Sequence, residues 1–63
     1  MRRLYATQDN FTIIGVFNEN GKFEHFFVGD MQEEKLSNRT FEKASDAIDY
    51  GYELTESKRL LND

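Results

Sequence analysis

Cysteine and proline are both absent from this chain of 63 residues. Without cysteine, no disulfide can cross-link the fold and no Cys/His cluster can hold a structural metal ion. A chain of this length also buries a smaller fraction of its surface than an average domain does. We therefore expect one domain, residues 1–63, of low stability, for which self-association is the remaining common support.

Long apolar runs are missing as well. The N-terminal residues reach Thr7, Gln8 and Asp9 before any apolar stretch has the length of a signal peptide or a membrane span. Apolar residues make up 38% of the chain and aromatic residues 14%. This is enough for a packed core, and no low-complexity tract argues for disorder. We expect a folded, cytoplasmic protein.

Basic residues are few, with eight Lys and Arg against twelve Asp and Glu, for a formal net charge of -4. Binding to a phosphate backbone requires a basic footprint, so this balance disfavours direct nucleic-acid binding. An acidic chain instead suits a partner protein with a basic surface, or serves solubility alone.

Groups that could carry catalysis are also scarce. His25 is the only histidine, and no cysteine, nucleophile-elbow glycine motif or metal-ligand spacing accompanies it. In the strand register preferred below, His25 faces Gly15, where its ring would fill the space above the glycine. We predict no enzymatic activity, no cofactor and no metal site.

The most distinct local pattern is FTIIGVFNENGKFEHFFVGD, residues 11–30, in which two aromatic and β-branched runs flank a turn sequence. This pattern predicts a β-hairpin over 11–28. A two-residue Asn20-Gly21 turn is one option. We prefer a three-residue loop, because Asn18 can open a type I turn and Gly21 can take the left-handed position that closes it as a bulge.

The two turns imply different strand registers. The shorter turn pairs Phe17 with Glu24 and Ile13 with Val28. The longer loop matches apolar with apolar residues, pairing Phe17 with Phe23, Ile14 with Phe26 and Ile13 with Phe27.

Both faces of the hairpin are apolar in the preferred register. One face carries Phe11, Ile13, Phe17, Phe23, His25 and Phe27, and the other carries Ile14, Val16, Phe26 and Val28. A single short helix cannot cover both. The second face is a candidate surface for a partner or a homodimer, unless the N-terminal segment and residues 30–39 fold over it. Stacking of single-stranded bases on exposed phenylalanines is the nucleic-acid alternative.

The last third of the chain has a helical period. The arc expected to face the core contains Ala44, Ala47, Ile48, Gly51, Leu54, Thr55 and Leu61. Gly51 lies near its centre, where a missing side chain lets the backbone approach the sheet. Thr40 or Ser45 is the expected N-cap. With RRLYAT as an edge strand and a short strand at Leu36 to Phe41, these elements predict an α+β fold: an antiparallel sheet of three or four strands, packed by one C-terminal helix.

This order of elements, together with NRTFEKASDAI at residues 38–48, resembles the small DNA-binding domains at the N-terminus of tyrosine integrases. The resemblance implies a topology of three strands and a helix. Those domains read DNA with a basic sheet, whereas the sheet of this chain is apolar.

Five carboxylates recur at steps of four, three, four and three: Glu42, Asp46, Asp49, Glu53 and Glu56. On a helical wheel they fall within about 80° of one another and nearly opposite Gly51, whereas the bases of the same segment fall elsewhere. Like charges at these spacings cost about 0.2 to 0.5 kcal/mol per pair.

Three interpretations of this row remain open. It is a solvated outer face, or a negatively charged rod that imitates DNA phosphates and binds a basic protein surface, or a divalent-ion site at Asp46, Asp49 and Glu53. We adopt the second as the working hypothesis, with a small phage-type accessory or inhibitor protein as the class.

Overall fold

A computed structural model describes residues 1–62, and their side chains as far as Glu56. The chain forms β1 (Arg2–Thr7), β2 (Thr12–Phe17), β3 (Phe23–Gly29) and α1 (Ala44–Asn62). The three strands make one antiparallel sheet in the order β1-β2-β3. The expected α+β fold, an antiparallel sheet packed by one C-terminal helix, is confirmed.

The hairpin loop has the expected chemistry. Gly21 has φ 79° and its N–H donates to the Asn18 carbonyl at 3.0 Å. The Asn18 side-chain oxygen accepts hydrogen bonds from the backbone N–H groups of Asn20 at 2.9 Å and Lys22 at 3.0 Å. A short polar side chain thus satisfies the backbone donors of the turn, as Asx turns do.

The register of the hairpin combines the two alternatives. Phe17 pairs with Phe23 next to the loop, but beyond it Val16 pairs with His25 and Ile13 with Val28. Glu24 is the extra residue of a β-bulge, which shifts the pairing by one position. The preferred register is therefore right at the loop and wrong along the rest of the hairpin.

This shift divides the apolar face that the sequence predicted. Directly paired residues of neighbouring strands share a face, and the pairs are Ile14 with Phe27, Val16 with His25, Gly15 with Phe26 and Ile13 with Val28. Ile14 and Val16 consequently lie on one face of the sheet, and Phe26 and Val28 on the other. The expected position of His25 opposite Gly15 is likewise wrong.

The helix covers one end of the Val28 face. Its Ala47 joins Phe11, Ile13 and Val28 in the buried core. Gly51 is buried against the ring of Phe11, as the sequence predicted for a close approach. Leu61, expected on the same arc, lies outside the residues whose side chains are described.

The opposite face is partly covered by this chain itself, although Leu4 on that face is 50% exposed. Phe27 is 0% exposed, with the Arg2 guanidinium 5.1 Å and the Lys35 ammonium 5.4 Å from its ring centroid. These are distances at which cations are attracted to aromatic rings. Arg2 comes from β1, which pairs within the sheet instead of folding over it, and Lys35 comes from the connection, so side chains of both segments cover Phe27.

Residues 35–41 follow the outer edge of β3 without forming a fourth strand. The Leu36 N–H donates to the Val28 carbonyl at 3.0 Å, and Phe41 and Phe26 exchange backbone hydrogen bonds of 2.7 and 2.9 Å. Within the described residues, the two bridges of this segment to β3, Gly29–Lys35 and Phe26–Phe41, are isolated from each other. Among the described residues β1 pairs only with β2, so the outer edge of β1 has no strand beside it.

The helix begins between the two starts that Thr40 and Ser45 as N-caps would imply. Ala44 is its first residue and the Lys43 carbonyl accepts the hydrogen bond of the Ala47 N–H at 3.2 Å. Neither Thr40 nor Ser45 is therefore the N-cap, and Glu42 precedes the helix. The Phe26–Phe41 pairing explains why the helix does not begin at Phe41, because it holds the chain extended up to that residue.

Candidate functional site

The five carboxylates of the predicted row are all exposed. Asp46, Asp49, Glu53 and Glu56 project from α1 on the side away from buried Ala47 and Gly51, and Glu42 lies just before the helix. None of the five has a basic group within 4.0 Å among the described side chains. We call these five residues the acidic row.

The acidic row nevertheless has a cationic neighbour that the sequence did not indicate. The Arg39 guanidinium lies 4.8 Å from the ring centroid of Tyr50 and 5.5 Å from that of Phe41. Arg39, Phe41 and Tyr50 line an acidic groove of about 320 Å³ together with Asp46, Asp49 and Glu53. One guanidinium among these carboxylates reduces the negative charge of the groove but leaves it in excess.

A second groove lies at the end of the sheet that α1 leaves open. This aromatic groove has a volume of about 330 Å³ and is lined by Arg3, Leu4, Tyr5, Gly15, Phe17, Phe23 and Phe26. Its rings touch in series, with centroids 5.0 Å apart for Tyr5–Phe26, 4.6 Å for Phe23–Phe26 and 5.8 Å for Phe17–Phe23. Tyr5 is 61% and Phe23 41% exposed, so the groove opens to solvent.

The two grooves adjoin across one pair of phenylalanines. Phe26 lines the aromatic groove and is hydrogen-bonded through its backbone to Phe41, which lines the acidic groove. The Phe41 ring lies 5.3 Å from that of Tyr50, in the first half of α1. The result is one continuous surface with an apolar end on the sheet and a negative end on the helix.

Only one member of the predicted apolar face belongs to this surface. Phe26 lines the groove, whereas Ile14 and Val28 are each 1% exposed and Val16 is half-buried on the opposite face. Sequence reasoning missed Tyr5, which lies at a bulge in β1. The signal that could have found it is the Leu4-Tyr5 pair of large apolar residues in a strand with an unpaired edge.

A third cavity, of about 300 Å³, lies between the second half of α1 and the connection after β3. Its lining includes Asp30, whose side-chain oxygen already accepts backbone hydrogen bonds from Gln32 at 2.8 Å and Glu34 at 3.0 Å. That carboxylate stabilises the turn. Across the described part of the chain, no group of three His, Asp or Glu side chains is placed to hold a metal ion, so the geometry does not support the divalent-ion interpretation.

No family model matches the chain, and no curated protein or solved structure matches it either. The resemblance to the integrase domains therefore depends on the NRTFEKASDAI segment and the order of elements. Within the described residues, α1 lacks the apolar character that a helix needs to cross a lipid bilayer.

Proposed function

We propose that this chain is a non-enzymatic protein-binding module whose acidic row meets a basic surface of another protein. The observation that supports it is the continuity of the acidic groove with the aromatic groove. Protein interfaces combine a desolvated, often aromatic centre with charged groups that steer association and set specificity. The joined grooves offer both parts on one side of the molecule.

The sharper form of the proposal is that the acidic row occupies a site that would otherwise bind nucleic acid. From Asp46 to Glu56 the four helical acids span about 15 Å, or one charge per roughly 5 Å of axis. One DNA strand carries a phosphate every ~3.4 Å and the duplex a charge every ~1.7 Å. The row therefore approximates a single strand better than a duplex.

The proposed class is a phage-type accessory or inhibitor protein that acts on a nucleic-acid-binding protein in the cytoplasm. Localisation of a fluorescent fusion would test the compartment. Competition with single-stranded DNA for the captured partner would test the mimicry.

The test compares two variants with the same loss of charge. One changes Asp46 and Asp49 to Asn and Glu53 and Glu56 to Gln. The control changes four exposed acids outside the helix, Glu19, Glu24, Glu33 and Glu34, to Gln. Each replaces four acids by neutral residues of similar shape.

Partners captured from the source cell by the immobilised chain are then titrated against both variants. We expect the helix variant to lose binding at least tenfold and the control to retain it. Equal affinity of both variants would remove the acidic row from the interface. Equal loss in both would show that only net charge matters, and would also overturn the proposal.

A further inference from the structure

The aromatic groove includes a buried glycine, Gly15, beside the rings of Phe17 and Phe26. A Cβ atom added to Gly15 would lie 3.4 Å from Phe17 Cε2 and 3.5 Å from Phe26 Cε1, which is ordinary van der Waals contact. Packing within the chain thus does not require glycine here. Glycine inside a strand weakens the strand and often marks a place where a ligand or another backbone approaches closely.

The charges around the groove differ from one end to the other. Arg3 lines the end formed by β1, and the other end adjoins the acidic groove through Phe26 and Phe41. A bound segment with lysines or arginines would be attracted toward α1 and repelled near Arg3. The apolar part of such a segment would lie between these two ends.

A second copy of the chain suits this groove poorly. The groove volume of about 330 Å³ is at the lower end of ligand-binding clefts, which suits a single inserted side chain. The bulge between Leu4 and Ala6 limits edge pairing of β1 to its first residues. Twofold pairing there, with Arg2 opposite Leu4, would set Arg3 opposite Arg3 of the other copy, and like charges directly opposite are destabilising.

We propose that the aromatic groove takes one aromatic or aliphatic side chain from a basic partner segment, whose lysines or arginines lie on the α1 side of that anchor. This proposal rests on the proposed function and specifies the partner's chemistry. The anchor contacts Phe17, Phe23 and Phe26 above Gly15. The cations that follow it along the segment meet Asp46, Asp49 and Glu53.

The test uses three fluorescein-labelled peptides and fluorescence anisotropy at low ionic strength, where charge pairing is least screened. The first has one Phe with four lysines on one side only. The second has Ala in place of Phe, and the third has two lysines on each side of Phe. We expect the first peptide to bind at least tenfold more tightly than either of the others.

The matched protein variants are Gly15→Val, which fills the groove floor, and Val16→Ile, which adds one methylene on the opposite face. The Gly15→Val variant should bind the Phe and Ala peptides equally while still binding their lysines. The Val16→Ile variant should keep both the preference for the Phe peptide and the binding of lysines. If the Gly15→Val variant fails to fold, Gly15→Ala is used instead. It blocks less of the groove, and its Cβ atom makes only ordinary van der Waals contacts.

The outcomes separate this proposal from the proposed function. Equal binding of the Phe and Ala peptides, with affinity that still depends on the acidic row, would overturn the anchor and leave the basic partner intact. Loss of all peptide binding would overturn both. If the unaltered chain sediments with twice the monomer mass and the Gly15→Val variant sediments as a monomer, the groove binds a second copy of the chain. That result would contradict the proposal.

Discussion

Gly51 of α1 lies directly over the ring of Phe11, so closely that a Cβ atom at this position would be 2.6 Å from Phe11 Cζ. Phe11 is 0% exposed and comes just before β2. Its ring also makes an edge contact with Tyr52, with centroids 5.1 Å apart. The phenylalanine and the glycine therefore set the distance between helix and sheet.

Replacing Gly51 with alanine should destabilise the protein. Alanine improves helix propensity by about 1 kcal/mol, but forcing a methyl group into a filled core typically costs 1 to 3 kcal/mol. Because Phe11 is fully buried and its ring cannot shift without displacing its neighbours, we expect a net loss of about 1 kcal/mol or more in urea unfolding. In a Phe11→Leu background the same change should cost less. A stabilised Gly51→Ala variant would contradict the packing described here.

Replacing Gly21 with alanine should cost about 1 to 2 kcal/mol, because a residue with a Cβ disfavours the left-handed conformation that Gly21 adopts. The cost is confined to the backbone, since nothing lies within 4 Å of a Cβ placed there. Gly21→Asn should cost less, because asparagine tolerates this conformation. Thermal unfolding of the two variants checks the order, and equal costs would point to a cause other than the backbone angle.

Among the described residues other than glycine, Glu33 alone has a positive φ, of 66°. Because asparagine adopts this conformation more readily than glutamate, Glu33→Asn should stabilise the protein by about 0.5 kcal/mol. The neighbouring change Glu34→Asn removes the same charge from an exposed position and is the control. An equal gain in both variants would trace the effect to charge.

Lysine in place of Glu56 should raise the free energy of unfolding by about 0.5 kcal/mol. The change removes repulsion from Glu53 one turn earlier and replaces it with an attractive pair. In a domain of this size 1 kcal/mol corresponds to a shift of about 4 to 8 °C in Tm. Glu19→Lys, which makes the same charge change in the exposed hairpin loop, should produce no comparable gain. Raising the salt concentration should reduce the difference between the two variants.

Shortening Arg39 to alanine should destabilise the protein, because it removes the cation beside the acidic row and its contacts with two aromatic rings. The guanidinium lies over the rings of Phe41 and Tyr50 beside three carboxylates, and exposed contacts of a cation with an aromatic ring contribute about 0.5 to 1 kcal/mol. We expect a loss of about that size, restored only in part by Arg39→Lys because an ammonium does not stack as a guanidinium does. Full restoration by lysine would show that charge alone matters.

Local chemistry was enough to predict much of this fold. Asn18 and Gly21 specify the hairpin loop within four residues of each other, because the side-chain amide and the left-handed glycine act on their own turn. The 3.6-residue period places Ala47 and Gly51 on the inner side of α1 and the acidic row on the outer side. These features depend on sequence neighbours, so the sequence alone contains them.

The composition of the candidate surface was decided only by the tertiary structure. The bulge at Glu24 separates Phe26 and Val28 from Ile14 and Val16. Pairing of apolar with apolar residues did not predict this one-position shift. Arg39 reaches the acidic row because backbone pairing of Phe41 with Phe26 brings the connection beside α1. Strand register and the path of a connection depend on contacts between residues far apart in sequence, and such contacts form only when the whole chain packs.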